Sequence, residues 1–306
     1  MQATSTLERP VTTPAVVPSS RSWNRAFRDI REGYAMRQLW AHLGWQDIKQ
    51  RYRRSVIGPL WITISMGVTA VGLGVLYAVL FDTPVKTFLP YVVVGFIVWN
   101  FINGCLTEGM DTFVVNEGMI KQMPAPLSVY MLRTVWRQIL LLAHNLIVYV
   151  IVLAIFFTTL DHTYAMTPGS NITHPGLGWN TLLMVPGAIL LVINGTWVAL
   201  LLGIISTRFR DIPQVINSVL QLVFYLTPII WSPDTFLYGT NQSLAWARVL
   251  FQFNPLYHFV QVMRGPMIGQ QVSWISWLVV VGFAIVGWAL ALFAMRNYRA
   301  RVSYWV

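Results

Sequence analysis

The sequence predicts an all-α membrane protein with six transmembrane helices. Six stretches of at least twenty residues contain no Asp, Glu, Lys or Arg, and they are residues 60–80, 88–107, 138–160, 180–207, 212–233 and 272–295. A helix of about twenty apolar residues can cross the hydrocarbon core of a bilayer, which is about 30 Å thick. Hydrophobic residues make up 56% of the 306 residues and charged residues only 10%, so no separate soluble domain is expected.

The basic residues predict the orientation of these helices. If the N-terminus is cytoplasmic, 18 of the 21 Lys and Arg residues fall on cytoplasmic segments, and only Lys86, Arg248 and Arg264 fall outside. Cytoplasmic segments of membrane proteins carry such an excess of basic residues. We therefore predict that both termini are cytoplasmic. The formal charge of +10 arises from these flanks and does not indicate a nucleic-acid partner.

The chain is predicted to have three regions. Residues 1–20 are rich in Thr, Ser, Pro and Ala, which favours a disordered N-terminal tail. They lack the apolar core of a signal peptide, so the first span is expected to act as the insertion signal. Residues 21–58 are predicted to form a cytoplasmic helix in the membrane interface, and residues 59–306 the six-span domain.

The predicted interfacial helix is amphipathic. Its apolar face carries Trp23, Phe27, Ile30 and Tyr34 at helical spacing. Its opposite face carries Arg21, Arg25 and Arg28. Apolar residues on such a helix dip toward the acyl chains while the arginines meet anionic headgroups. We expect Gly44 to interrupt it, and a role as a plain basic anchor remains open.

A second short helix is predicted between spans two and three. Glu117 and Lys121 have the i,i+4 spacing of a helical ion pair, and Pro124 would stop the helix after it. Met119 and Ile120 would be exposed on this helix unless a partner protein covers them. Ordinary packing at the membrane interface would explain the same pattern.

Residues 232–271 are too long and too apolar for a structureless loop. Residues 243–252 predict one helix, and Asn254 followed by Pro255 predicts the start of another. Because neither helix can span, we predict a re-entrant helical hairpin that enters from outside. Its aromatic residues include Trp246, Phe251, Phe253 and Tyr257. They suit either an aromatic belt at the outer interface or a path for carbohydrate, because aromatic faces stack on sugar rings.

Several kinds of chemistry are missing from the sequence. Within the six stretches, only His144 is ionisable near neutral pH, whereas ion-driven carriers hold ionisable groups at membrane depth. No Gly-Lys dipeptide occurs, so the chain has no P-loop and is not expected to hydrolyse ATP. Its single cysteine, Cys105, excludes a disulfide within one chain. Energy for transport is therefore expected to come from a separate subunit.

Three segments resemble type-2 ABC exporter permeases of the polysaccharide-export branch. They are residues 51–61 (RYRRSVIGPLW) before the first span, residues 121–124 (KQMP) between spans two and three, and residues 253–257 (FNPLY) leading to Arg264. The first is the most specific. Together with the spacing of the spans, the similarity covers about residues 25 to 300.

The resemblance implies a homodimer of six-span subunits in the bacterial inner membrane. Two copies of a separate ATP-binding cassette subunit would hold ATP and Mg²⁺, and this chain would carry no cofactor, metal or catalytic residue. The implied substrate is a polyprenyl-linked polysaccharide of the O-antigen or cell-wall galactan type, moved from the cytoplasm to the outer face of the membrane.

The resemblance also implies roles for particular residues. The contact with the ATPase would involve Arg25, Arg28, Glu117, Met119, Ile120 and Lys121. The glycan exit would involve Trp246, Phe251, Phe253, Asn254 and Tyr257. The alternatives are a permease of this class for a lipid or drug, a membrane enzyme acting on lipid-linked sugars, and a self-sufficient channel. The lack of acid–base pairs at membrane depth weighs against the enzyme.

Overall fold

The computed structural model describes residues 21–53, 55–58, 60–123, 125–167, 172–234 and 251–306. Nearly all of these residues are helical, and the helices in chain order are α1 Trp23–Ala35, α2 Arg37–Arg51, α3 Leu60–Leu80, α4 Val85–Val115, α5 Glu117–Gln122, α6 Leu127–Leu160, α7 Met184–Arg208, α8 Ile212–Leu226, α9 Pro255–Met267 and α10 Trp274–Trp305. A 3₁₀ turn, Trp179–Leu183, leads directly into α7. Within the described residues, five helices are long and apolar enough to span a membrane, namely α3, α4, α6, α7 and α10. The prediction of an all-helical, multi-pass membrane protein is confirmed.

The predicted fifth span differs from the helix found there. Helix α8 has 15 residues, which gives a length of about 22 Å. It ends at Leu226 because Thr227 precedes Pro228, and a residue before proline is pushed out of the helical region. Thr227 accordingly has extended backbone angles, φ −84° and ψ 132°. The six-span count therefore stays a prediction, as does the re-entrant hairpin, much of which lies outside the described residues.

The predicted interfacial segment consists of two helices, and our expectation about its break was wrong. The chain turns at Met36, between α1 and α2, whereas Gly44 lies inside α2. Gly44 is needed there for packing, because a Cβ on it would lie 2.9 Å from the ring of Trp136 on α6. Trp23 and Phe27 are exposed on α1, as expected for a face that meets lipid. The predicted tail, residues 1–20, lies outside the described residues.

Helix α4 is the centre of the bundle. It packs against α3, α6, α7, α8 and α9. Its side chains are buried continuously from Thr87 to Trp99, which is every face of the helix over more than three turns. A helix that is apolar on all sides lies either in a protein interior or against lipid, and here neighbouring helices cover α4 over this stretch. The residues of α4 that are still exposed therefore mark the surfaces that no other described helix of the chain covers.

Small residues let α7 approach α4 closely. Gly195, Ala199 and Gly203 recur every four residues on the face of α7 that meets α4. On α4, a Cβ placed at Gly109 would lie only 2.7 Å from the Cα atom of Ala199. Because lipid is as apolar as a leucine side chain, helices in membranes associate through close packing of this kind. This contact fixes the α4–α7 pair.

Asp29 joins three separate parts of the chain. The carboxylate accepts hydrogen bonds from the backbone N–H groups of Leu127 and Ser128, at 3.2 and 3.0 Å, at the start of α6. Arg299 near the end of α10 donates its Nε–H to the same carboxylate at 2.5 Å. The Asp29 side chain is fully buried. A negative charge suits this position because the first N–H groups of a helix lack partners within the helix.

We expect Asp29→Asn to destabilise the protein by on the order of 2 kcal/mol, since hydrogen bonds to a charged group contribute about 1.5–3 kcal/mol. Glu32→Gln is the matched control, because Glu32 lies one turn further along α1 and its ion pair within the described residues is with exposed Arg28. Thermal unfolding of the purified variants in detergent measures the effect. Equal unfolding temperatures for the two variants would contradict the proposed role of Asp29.

Candidate functional site: a neutral polar groove beside helix α4

A groove opens where α3, α4 and α6 meet, and it encloses about 430 Å³. Its polar lining is unusual for spanning helices and consists of Ser65, Thr69, Asn100, Asn103, Thr107, Glu108, Gln138 and Asn145. Only Glu108 among these residues is ionisable, and it lies at the end of the groove near α5. Its other walls are apolar and include Phe96 and Phe101. The groove therefore offers amide and hydroxyl groups without fixed charge along most of its length.

The same face of α4 continues toward α8. A second cleft of about 320 Å³ lies between these two helices, and Asn100 and Asn103 border both cavities. From α8 it is lined by Asn217 and Gln221 together with aromatic rings. The ring of Phe224 packs edge-on against Phe96 at 5.7 Å between centroids. The two cavities form one surface along α4, which we call the amide face.

The amides at the centre of this surface have no partner in the described part of the chain. No hydrogen bond there involves the side chains of Asn100, Asn103, Asn217 or Gln221. Asn217 and Gln221 are exposed on α8, one helical turn apart. A polar group left without a hydrogen bond in hydrocarbon is costly. These amides must therefore meet water, a polar ligand or another protein chain.

One end of the amide face is closed by a cluster of charged residues. Asp47 on α2 forms a two-pronged ion pair with Arg133 on α6, and its Oδ2 atom also accepts from Arg137 at 2.9 Å. Arg137 in turn pairs with Glu108 at 2.6 Å. Gln138 donates to the same Glu108 oxygen at 2.5 Å. The cluster ties α2, α4 and α6 together and neutralises most of its own charge.

The electrostatics of Asp47 follow from two opposing effects. Partial burial favours the neutral carboxyl and would raise its pKa, but the hydrogen bonds and positive charges of Arg133 and Arg137 outweigh this. The pKa of Asp47 therefore lies below its ordinary value. Asp47 is therefore ionised near neutral pH, where its ion pairs with Arg133 and Arg137 are present.

Helix α5 lies beside this cluster, and its predicted form is confirmed. Glu117 and Lys121 make the expected ion pair, at 2.6 Å, which lowers the pKa of Glu117 through the hydrogen bond and the charge of Lys121. Both side chains are exposed. Met119 and Ile120 are half-buried against an apolar cluster that also holds Ala26 of α1. Packing within the chain thus partly covers Met119 and Ile120, which the sequence analysis expected to be exposed unless a partner protein covers them.

The predicted contact residues on α1 lie at the same end of the molecule as α5. Arg25 is half-buried, whereas Arg28 is exposed and pairs with Glu32 at 3.4 Å. Both α1 and α5 pack against the C-terminal part of α10. The structure therefore brings Arg25, Arg28, Glu117 and Lys121 to one end of the bundle, and their contact with an ATPase stays a prediction.

The predicted exit residues lie at the opposite end of the bundle. The Asn254 side chain accepts from the Leu256 N–H at 3.0 Å, so its predicted capping of α9 is confirmed. Phe251 is buried between the rings of Trp231 and Tyr257, whereas Phe253 is 83% exposed. Trp246 lies outside the described residues. Of these aromatic rings in the described part, Phe253 is the most open to a ligand.

Arg264 on α9 is a functional candidate that the sequence analysis passed over. Its side chain is completely buried, stacks on the Tyr91 ring at 3.7 Å and donates to the Pro228 carbonyl at 2.6 Å. Tyr91 donates to that carbonyl as well, at 3.2 Å. Together they hold the end of α8 against α4 and α9. The sequence analysis counted Arg264 among the external basic residues, within the predicted re-entrant hairpin, because α9 is too short to span.

The amide face was also missed, although the sequence carries a signal for it. Asn100 and Asn103 on α4, and Asn217 and Gln221 on α8, are spaced by three or four residues within otherwise apolar stretches. Such spacing places each pair on one helix face, and polar residues in spans mark functional surfaces. By contrast, His144 contacts the carbonyl of Leu140, four residues earlier on the same helix, at 2.7 Å, which is a structural role.

Comparisons with known proteins agree on one family. Residues 38–268 match the sequence model of the ABC-2 type transporter family. The chain is 22% identical over 256 residues to a protein named O-antigen export system permease protein RfbA from Klebsiella pneumoniae, covering 83% of this chain and 90% of that protein. It is 23% identical over 221 residues to the protein of the same name from Myxococcus xanthus, covering 72% and 78% of the two chains.

We expect Asp47→Asn to lower the unfolding temperature near neutral pH, because the ion pairs with Arg133 and Arg137 are lost. A carboxyl whose pKa is lowered on folding stabilises above its unfolded pKa, about 3.9, and loses that contribution as the pH falls through the folded pKa. The difference from the unchanged protein should therefore shrink below about pH 4.

Asp111→Asn is the matched control for this experiment. Asp111 lines the same cleft as Asp47, but no ion pair of the described residues involves it. Unfolding temperatures of both variants, measured between neutral and acidic pH, provide the test. A difference for Asp47→Asn that stays constant with pH would show that shape rather than charge matters at this position.

Proposed function

The chain belongs to the ABC-2 type transporter family, and on that premise we propose that it is the permease subunit of an ATP-driven exporter of a lipid-linked polysaccharide. The proposed substrate is a glycan of the O-antigen or cell-wall galactan type on a polyprenyl carrier. The proposed direction is from the cytoplasm to the outer face of the bacterial inner membrane. The similarity to proteins named O-antigen export permeases, over most of their length, supports this substrate class.

The observation that carries the proposal is the amide face along α4. A polysaccharide cannot cross hydrocarbon unshielded, because its hydroxyl groups would lose their hydrogen bonds with water. Free amides on α4 and α8 can replace those bonds, while the exposed ring of Tyr225, which lines the same cleft, can pack on the apolar face of a sugar. Weak, repeated contacts suit a polymer that must slide, whereas a deep charged site would trap it.

Membership in this family implies an ATP-binding partner subunit. We propose that two copies of this partner, carrying ATP and Mg²⁺, contact α5 and α1 of a permease homodimer. The exposed Glu117–Lys121 pair on α5 and Arg28 on α1 support this placement, because they lie at one end of the bundle. A second copy of the chain would close the amide face, which the single chain leaves open beside α3 and α8.

The proposed orientation places this end in the cytoplasm. It carries the C-terminal ends of α4, α7 and α10 and most of the basic residues. The opposite end carries the loop between α6 and α7 and the start of α9. Cysteine labelling from either side of sealed inverted and right-side-out vesicles would test this orientation directly.

The central test is reconstitution with the ATP-binding subunit in proteoliposomes that contain a lipid-linked polysaccharide. ATP should make the glycan accessible to a lectin on the opposite side of the membrane. Movement without ATP would instead indicate a channel. Movement of unmodified lipid or of a drug, without the glycan, would indicate a permease of the same family with another substrate.

We expect replacing Asn217 and Gln221 together by leucine to reduce glycan export at least roughly tenfold, since each lost hydrogen bond costs about 1 kcal/mol. Replacing Val215 and Val219 by leucine is the matched control, because these exposed residues lie on the apolar side of the same helix. Export is measured in the proteoliposome assay, with ATP hydrolysis followed in parallel. Unchanged export by the double leucine variant would remove the amide face from the glycan path.

We expect Glu117→Lys to abolish ATP-driven export while leaving membrane insertion normal, because it reverses a charge on α5 and breaks the pair with Lys121. The control is Asp211→Lys, the same charge reversal on an exposed residue between α7 and α8. Co-purification with the ATP-binding subunit and its ATPase rate are the measurements. Normal coupling in the Glu117 variant would show that α5 does not contact the ATPase.

A further inference from the structure

A cleft outside the amide face lies between the C-terminal parts of α7 and α10. It encloses about 630 Å³. Helix α7 and the residue after it contribute Leu201, Ile204, Ile205, Arg208 and Phe209. Helix α10 contributes Leu290, Phe293, Ala294, Tyr298, Arg301 and Trp305. On α7, the lining residues from Leu201 to Arg208 follow one helix face over about 10 Å. On α10, those from Leu290 to Arg301 follow one face over about 16 Å. The cleft therefore runs along the bundle axis.

The chemistry of the cleft changes along its length. Its deeper part is lined by aliphatic and phenyl side chains, with Leu290 and Phe293 each about half exposed. Its rim, at the end of the bundle that carries α1 and α5, holds the guanidinium groups of Arg208 and Arg301. Tyr298 and Trp305 lie beside them. Aromatic residues with a polar tip are typical of the membrane–water boundary.

The two arginines at this rim differ from the arginines of the charged cluster and of the Asp29 contact. Arg133, Arg137 and Arg299 all pair with carboxylates. Among the ion pairs of the described residues, none involves Arg208 or Arg301. Arg208 instead lies over the ring of Trp305 at 5.1 Å. Two positive charges without a carboxylate partner are thus exposed at the mouth of an apolar cleft.

We propose that this cleft binds an anionic phospholipid, with the phosphate at Arg208 and Arg301 and the acyl chains in the apolar part. Charge complementarity and the order of the lining, apolar at depth and cationic at the boundary, select this occupant. Basic pockets between spanning helices bind anionic headgroups by the same chemistry. The orientation proposed above would place the bound lipid in the cytoplasmic leaflet. The site itself does not depend on that orientation.

The site lies close to the parts proposed to meet the ATPase. Arg210, two residues beyond Arg208, donates to the Trp305 carbonyl at 3.0 Å and contributes to the electrostatic environment of Glu117 on α5. A lipid held at Arg208 and Arg301 would stabilise the ends of α7 and α10, and α5 packs against α10. The bound lipid would thereby stabilise the assembled end of the bundle.

The test compares Arg208→Gln/Arg301→Gln with Arg31→Gln/Arg37→Gln in the full-length protein. The control removes the same charge from exposed residues of α1 and α2 at the same end of the bundle. Delipidated protein is mixed with equal amounts of phosphatidylglycerol and phosphatidylcholine of identical chains, and bound lipid is counted by native mass spectrometry. We expect the unchanged protein and the control to prefer phosphatidylglycerol. In the cleft variant, the ratio of bound phosphatidylglycerol to bound phosphatidylcholine should fall by on the order of tenfold. An equal preference in all three proteins would overturn the proposal.

Three further arms distinguish the possible occupants. Leu201→Trp fills the apolar part and should reduce phosphatidylglycerol binding although both arginines remain; unchanged binding would overturn the proposal. Excess glycerol 3-phosphate, which has no acyl chains, should not displace the lipid; displacement would indicate a simple anion site. Stronger binding of undecaprenyl phosphate than of phosphatidylglycerol would overturn the proposal in favour of a site for the substrate carrier. Loss of lipid when the ATP-binding subunit is added would overturn it in favour of a protein interface.

Discussion

Hydrocarbon around the bundle constrains every ionisable side chain, because each must reach an aqueous end or be neutralised by a partner. The protein meets this constraint mainly at one end. Asp29 ties α1 to α6 and α10, and Asp47 ties α2 to α6 and, through Arg137, to Glu108 of α4. These pairs convert two amphipathic segments that precede the first span into fixed parts of the bundle. The position of α5 depends on them, since it follows α4 and packs on α10.

Because the charged residues are concentrated at one end, the helices can pack in the interior through uncharged side chains. Close packing of small residues, such as Gly109 against Ala199, holds α4 to α7 without polar groups. The opposite side of α4 can then expose Asn100 and Asn103 without weakening the bundle. Because amides carry no net charge, they can offer hydrogen bonds at depth at a lower solvation cost than a carboxylate or ammonium group. Helix α4 thus has one face that packs tightly and another whose amides have no hydrogen-bond partner in the described part of the chain.

The sequence predicted what depends on composition and local spacing. Five of the six predicted span positions, the Glu117–Lys121 helix and the Asn254 cap follow from hydropathy and i,i+4 or capping rules, and the structure confirms these. It did not predict contacts between distant segments. Asp29 looks like one more charge in a basic helix, and only the fold brings it to the start of α6. Gly44 was taken as a helix breaker, because the nearby ring of Trp136 that requires a glycine belongs to another helix. The contacts of the predicted ATPase and glycan residues remain predictions, since they involve partners absent from the chain.

The end of α8 shows how one buried charge can decide the shape of the amide face. Pro228 stops the helix after 15 residues, so its carbonyl and that of Trp231 point into the protein rather than along a helix axis. Arg264 and Tyr91 satisfy the Pro228 carbonyl, and the Tyr91 ring offsets part of the cost of burying the guanidinium group. A continuous helix would carry the polar side of α8 past α4 toward the opposite end. The break instead confines the amide face to the stretch beside Asn100 and Asn103. Beyond it, Asn254 donates to the Thr227 hydroxyl at 2.8 Å and ties the start of α9 to the end of α8.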